Sequence, residues 1–302
     1  MAKTIVVPLD TSSASESSLP VATDLARKVG GDLLLVSVIE APSEFGVWLH
    51  ANETIEAWVD HHFKVDQYLT GIADQISGFQ VDALVSTGNP SVEINLIARD
   101  QTEPVIVMGS HARSGFSRLA IGSVAVSVIH DANCPVIVVR ELDELPESAG
   151  IGPLDRLLVA LDGSEFAEEA LSAAQAVLGA TGLNIHLLQV VETTKWFGST
   201  YAEIDYGAFQ MYIESATAAA EEYLSGQAEH LEQQGHTVTW EVRDGLAAEH
   251  ISDSAGDFNA GLIVMSTHGR TGLSRVFMGS VAERVIRDSE RPVLLVSPQT
   301  GN

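Results

Sequence analysis

The chain repeats itself, and this limits the fold more than any other feature of its 302 residues. TIVVPLDTSSASESSLPVATDLA near the start matches RLLVALDGSEFAEEALSAAQAVL further on, so Asp10 pairs with Asp162 at an offset of 152. DLLLVSVIE and NIHLLQVVE keep that offset and pair Val38 with Val190. Later the offset is 157, as in Gly122 with Gly279, so the second copy carries five extra residues after its second strand. The length itself suits two domains of about 150 residues. We expect one domain over residues 1–140, a linker at 141–153 and a second domain over 154–298. The linker lies within RELDELPESAGIGPL, an acidic stretch with Pro and Gly.

Each copy alternates strand and helix. IVVPLD, LLLVSVIE, PVIVMGS and PVIVVRE are nearly continuous apolar runs, which suit parallel strands buried on both faces. VDALVSTG is a weaker strand, third along the chain. SLPVATDLARKVG reads as an amphipathic helix stopped by Gly30. The alternation predicts an α/β fold, with an open, doubly wound, five-stranded and mostly parallel sheet in each copy. Ligands of such sheets bind beyond the carboxyl ends of the strands, near the switch in strand order. Attention falls on Asp10 and Asp162, which close the first strands. It falls also on GSHARSGFSRLAIGSVAVSV (109–128) and STHGRTGLSRVFMGSVAERV (266–285), which follow the fourth.

Charge narrows the partners. With 41 acidic residues against 16 basic ones the net charge is −25. Nucleic acid and anionic membrane surfaces, which need clustered Lys and Arg, are not expected as partners. The four lysines fit either a high-salt cytoplasm or an ordinary acidic soluble protein. Cys134 is the single cysteine, which fits a reducing compartment. MAKTIVVPLD reads as a strand rather than a signal peptide, and no apolar run approaches the ~18 residues of a membrane span. The reading is of a cytoplasmic protein.

In copy two the strand LIVMS ends at Ser266, a tight turn follows, and the helix SVAERVIRD starts at Gly279-Ser280. A helix N-terminus has unpaired N–H groups and favours anions, and glycine there lets a phosphate approach the backbone. Ser280 could cap the helix or donate to a phosphate, while Arg270 and Arg275 could add charge. Copy one supplies Arg113, Arg118, Gly122 and Ser123. A lone glycine loop would more often serve local geometry, but the recurrence of the pattern favours anion binding. A Walker loop needs lysine after its last glycine, whereas here Ser123-Val124 and Ser280-Val281 follow. No G-x-G-x-x-G follows either first strand.

These motifs make the chain resemble a tandem universal stress protein of the nucleotide-binding type over nearly its whole length. That resemblance implies two Rossmann-like domains, of the adenine nucleotide alpha hydrolase-like kind, forming a pseudo-two-fold pair. It also implies ATP or a related adenine nucleotide as ligand, with Mg²⁺ or Mn²⁺ as an optional companion. The family pattern is Gly-x2-Gly-x9-Gly-Ser/Thr, with an Asp closing the first strand and an apolar residue closing the second. Asp10 and Val38, or Asp162 and Val190, would hold adenine and ribose. Gly109, Ala112, Gly122, Ser123 and Val124, or Ser266, Gly269, Arg270, Gly279, Ser280 and Val281, would hold the phosphates; Pro8 completes the candidate set. Ala112 and Ser266 each replace a motif glycine. Ala112 disfavours positive φ, so copy two is expected to bind more tightly than copy one.

His111 and His268 sit within the loops, with no nucleophile beside them, and are read as holding the loops together. His61 and His62 are adjacent, which suits a solvated helix face better than a metal site. Asp10 and Asp162 could merely cap the helices that follow, although their strand-end position favours ligand contact. Trp48, Trp58, Trp196, Phe197, Tyr201, Tyr206 and Phe209 follow the second strands and are expected to pack over the nucleotide mouth or between the halves. CPVIVVREL and RPVLLVSPQ should lie at sheet edges; in family dimers such edges meet, and here they could pair within the chain. Homodimerisation through other faces stays open. The resulting reading is a stress sensor or regulator without an evident catalytic residue, and at most slow ATP hydrolysis. The alternatives are a nucleotide-free scaffold and an adenylate-transferring enzyme on the same fold.

Overall fold

The computed structural model describes residues 2–40, 51–110, 121–141, 152–192, 206–268 and 278–297; for 51–55, 206 and 208 it describes the backbone alone. The chain divides into two compact units, Met1–Glu141 and Leu142–Asn302.

In the first unit the elements run β1 (Thr4–Pro8), α1 (Ser13–Glu16), α2 (Leu19–Val29), β2 (Asp32–Ile39), α3 (Ala51–Ala73), β3 (Val81–Thr87), α4 (Pro90–Arg99), β4 (Val105–Gly109), α5 (Ser123–Asp131) and β5 (Val136–Val139). Their sheet order is β3-β2-β1-β4-β5, with parallel pairing throughout. Thr4 registers with Asp32 and Ile5 with Val105, so β1 sits between β2 and β4. Four of the five residues of β1 and all of β4 and β5 are buried. That explains why these strands read as unbroken apolar runs. β3 is the weak strand of the sequence because it is the edge: it pairs on one side only, and all of its residues are exposed or half-buried. Helix α2 begins with Pro20 in its first turn and stops at Gly30, whose φ of 62° is open to glycine at no steric cost.

The second unit repeats the order: β6 (Arg156–Ala160), α6 (Glu165–Leu178), β7 (Asn184–Val191), α7 (Tyr206–Gln233), β8 (Thr237–Asp244), α8 (Ala247–Asp257), β9 (Leu262–Ser266), α9 (Ser280–Asp288) and β10 (Val293–Val296). Its strands are ordered β8-β7-β6-β9-β10, again parallel. Leu25, Leu33, Leu35, Ile106 and Ile137 fill one core, and Leu157, Leu158, Leu183 and Ile185 the other. In each unit the chain winds outward over three strands and then crosses back beside the first. The switch in direction falls between β1 and β4, and between β6 and β9. In the first unit a crevice opens there at the carboxyl ends of the strands.

Candidate functional site

The crevice of the first unit is a cavity of about 690 Å³, in the range of small-molecule sites. The predicted residues Pro8, Asp10, Val38, Gly109, Gly122 and Val124 all line it, although they come from four separate segments. β1 contributes Pro8 at its end and Asp10 just beyond it, β2 contributes Val38, and β4 contributes Gly109. Gly122 and Val124 stand at the start of α5. Between these groups the wall is mostly hydrocarbon, including Leu9, Val36, Ile39, Ile94 and Met108.

Asp10 does not cap the following helix. Ser12 does: its Oγ accepts the Ser15 N–H at 3.2 Å. Asp10 fixes that cap instead, because its Oδ1 accepts the Ser12 N–H at 3.1 Å and the Ser12 hydroxyl. The Asp10 N–H in turn donates to Ser15 Oγ at 3.2 Å. The second unit builds the same turn. Asp162 Oδ1 accepts the Ser164 N–H at 3.0 Å and the Ser164 hydroxyl at 2.6 Å, and Ser164 Oγ accepts the Ala167 N–H at 3.3 Å. The repeated Asp-x-Ser spacing was the signal for this arrangement, and sequence reasoning passed over it. The middle residue is left-handed in both units: Thr11 at φ 70° and Gly163 at φ 77°.

The glycines divide into two roles. A Cβ on Gly109 would lie 2.5 Å from the Ala14 carbonyl oxygen and 3.2 Å from Ser15 Cα, so glycine here admits the backbone of α1. Gly122 is the N-cap of α5 and carries no side chain that could bond the first helical amides. Its own N–H donates to Ser110 O at 2.8 Å. Gly279 caps α9 in the same way, with φ, ψ of −62°, 142° against −62°, 144° at Gly122, and its N–H donates to Thr267 O at 2.8 Å. Ser123 and Ser280 are therefore the first helical residues rather than the caps, and both are exposed. The capping role considered for Ser280 falls to the glycine, whose missing Cβ leaves the amide end open to an anion.

Val190 is half-buried at the end of β7, and Val281 is half-buried in the first turn of α9. Ser266 Oγ donates to the His268 carbonyl, and His268 Nδ1 meets Thr267 Oγ1 at 2.9 Å. Ala112, Gly269 and Arg270 lie outside the described residues, as do His111, Arg113, Arg118, Arg275, Trp48, Trp196, Phe197 and Tyr201. Helix α3 closes the cavity with Trp58, His61 and Val65. His62 turns away from it, packing on Trp58 with ring centroids 4.1 Å apart and meeting Thr87 Oγ1 at 3.2 Å. Among the described residues no three His, Cys, Asp or Glu side chains cluster as metal ligands would.

A doubly wound α/β repeat, with its crevice at the strand switch and a glycine-capped helix facing it, is the class of protein that fold and site define. The model of the universal stress protein family matches residues 1–140 and again 153–297, and the chain belongs to that family as a tandem member. A universal stress protein of Methanocaldococcus jannaschii is 32% identical over 141 residues, covering 47% of this chain and 81% of its own. One of Mycobacterium bovis is 27% identical over 271 residues, covering 88% of this chain and 84% of its own, so it shares the tandem layout. The crystal structure of a universal stress protein from Archaeoglobus fulgidus shares the fold, with a TM-score of 0.65 at 24% identity over 97% of this chain and 96% of that one. Among the described residues no helix is long and apolar enough to cross a membrane.

Proposed function

We propose that the protein is a cytoplasmic stress-response sensor or regulator that binds ATP or a related adenine nucleotide at the carboxyl strand ends of one or both domains. One observation carries this reading: residues singled out as nucleotide contacts in four separate segments line a single cavity of about 690 Å³. The hydrocarbon wall around Val38 suits a base, and Asp10 is an acceptor at the right end of β1 for ribose hydroxyls. The open amides of the first turn of α5, just beyond Gly122, suit a phosphate. Among the described residues that line the cavity, His61 is the one nitrogen base, and nothing there resembles a nucleophile paired with a base.

The test is mass spectrometry of small molecules released from freshly purified, denatured protein, followed by calorimetric titration with ATP and Mg²⁺. An adenine nucleotide in the extract, or saturable heat lost in Asp10→Ala and Gly122→Asp together with their domain-two counterparts, is the expected result. No released nucleotide and no heat at millimolar ATP would leave a scaffold. Comparing Gly122→Asp with Gly279→Asp also tests whether domain two binds more tightly.

A further inference from the structure

The two domains serve as internal references for each other once their long helices are aligned. Tyr68 of α3 donates to Glu16 at 2.8 Å, and Tyr223 of α7 donates to Glu168 at 2.9 Å. This matched contact sets an offset of 155 between α3 and α7, and it pairs Leu69 with Leu224, both fully buried. The strands before these helices keep the offset of 152, so Gln189 of β7 stands where β2 carries Ser37. Ser37 lines the first-domain cavity beside Trp58, His61 and Val65 of α3. The second domain has Ile213, Ala216 and Ala220 at those three helix positions. Each helix residue is smaller there, and the strand residue is larger. His186 of β7 stacks on Phe258 at the end of α8, with ring centroids 5.1 Å apart. Strand residues alternate between faces, and the crossover rule puts α7 on the face opposite α8. Gln189 therefore points to the α7 side, where the small helix residues leave room.

Gln189 is 7% exposed, and its Oε1 is buried without a hydrogen-bond partner. Packing alone does not ask for such a residue. Methionine would fill the same volume without stranding a carbonyl oxygen, which is costly to bury unpaired. The Leu161 N–H donates to Leu188 O at 2.9 Å, so Gln189 stands level with the start of the Asp162 turn, at the carboxyl end of the sheet. An unpaired acceptor at that end calls for a donor on whatever binds there. Resting on the nucleotide reading above, we propose that Gln189 selects the base in domain two, its Oε1 accepting from the exocyclic 6-amino group of adenine. A carboxamide presents an acceptor beside a donor, the complement of adenine's amino group and ring N7. Guanine and hypoxanthine put a carbonyl oxygen in place of that amino group, so two acceptors would face each other. Among the described residues lining the first-domain cavity there is no carboxamide, so this selection belongs to domain two.

Calorimetric titration of the full chain with ATP and with ITP, which carries oxygen in place of the 6-amino group, tests this. Gly122→Asp closes the first site and leaves domain two to be read alone. In that background ATP should bind at least about tenfold more tightly than ITP. Adding Gln189→Met should weaken ATP by about the same factor and leave ITP within about threefold, so that the preference disappears. The ligand-free Tm of the Gln189→Met chain should hold or rise, because the stranded acceptor is gone; a merely structural glutamine would instead lower Tm and leave the ATP-to-ITP ratio where it was. In the Gly279→Asp background, where domain one is read alone, Gln189→Met should move neither affinity. Equal binding of ATP and ITP by domain two, a preference for ITP, or a preference that survives Gln189→Met overturns the proposal while the nucleotide reading stands. Binding confined to domain one does the same. Absence of heat with ATP in both backgrounds and in the wild type overturns the nucleotide reading and this proposal with it.

Discussion

Replacing Thr11 by glycine should stabilise the first domain. Thr11 is β-branched and sits at φ 70° between Asp10 and Ser12, where the domain-two turn uses Gly163 at φ 77°. A non-glycine residue held in the left-handed region costs about 1–3 kcal/mol. Glycine returns about 0.5–1 kcal/mol of that through the greater freedom of the unfolded chain. The net gain for Thr11→Gly is about 1 kcal/mol, or roughly 3 °C for a domain of this size. The reciprocal Gly163→Thr should cost the second domain about 1–3 kcal/mol. Urea titrations followed by circular dichroism on both variants and on the Thr11→Gly, Gly163→Thr double variant would assign each transition to its domain. If Thr11→Gly destabilises by more than about 0.5 kcal/mol, or Gly163→Thr is neutral, backbone strain is not what distinguishes the two turns.

Three further outcomes are expected. Gly109→Ala should destabilise by about 1–3 kcal/mol in denaturant titrations, because its Cβ would meet the Ala14 carbonyl at 2.5 Å; an unchanged midpoint would mean that α1 shifts freely. Burial works against ionisation of Glu241, but hydrogen bonds with Ser254, Arg243 and His186 outweigh it and hold the carboxyl below its ordinary range. Its stabilising contribution is present above the unfolded-state pKa and is lost as pH falls through the lower folded-state value. Tm should therefore drop less steeply between about pH 5 and 3 in Glu241→Gln than in the wild type, and parallel curves would count against the network. Burial also pushes the Cys134 thiol up to about 11. At pH 8 a thiolate-specific reagent should label the native chain on the order of 100-fold more slowly than the denatured one, and equal rates would show that the thiol is open to solvent.

Much of the architecture could be read without coordinates. Buried parallel strands must be apolar on both faces, so β1, β2, β4 and β5 appear as continuous runs, and the duplication shows that whatever one half folds into, the other repeats. The strand-switch rule pointed to Asp10 and to the loop that ends at Gly122, the family resemblance added Val38, and these residues meet at a single cavity. Local geometry was less legible. Which of Asp10 and Ser12 caps α1, and which of Gly122 and Ser123 caps α5, depends on backbone angles that a one-residue change in sequence register does not reveal. The need for glycine at 109 arises from a backbone 95 residues earlier in the chain. Helix α3 brings Trp58 to the cavity wall, as its aromatic-rich segment suggested, and brings His61 there through packing that no motif encodes.

The sequence by itself determined the fold, the duplication and the strand ends where ligands would bind, because those follow from hydrophobic period and turn chemistry along the chain. Only the tertiary structure decided which side of each element faces outward. PSVEINLIAR is apolar on too many sides for its period to choose, and packing against α5 turned Asn95 inward and left Val92 and Leu96 in solvent. Exposure belongs to the contacts an element makes rather than to the residues it contains.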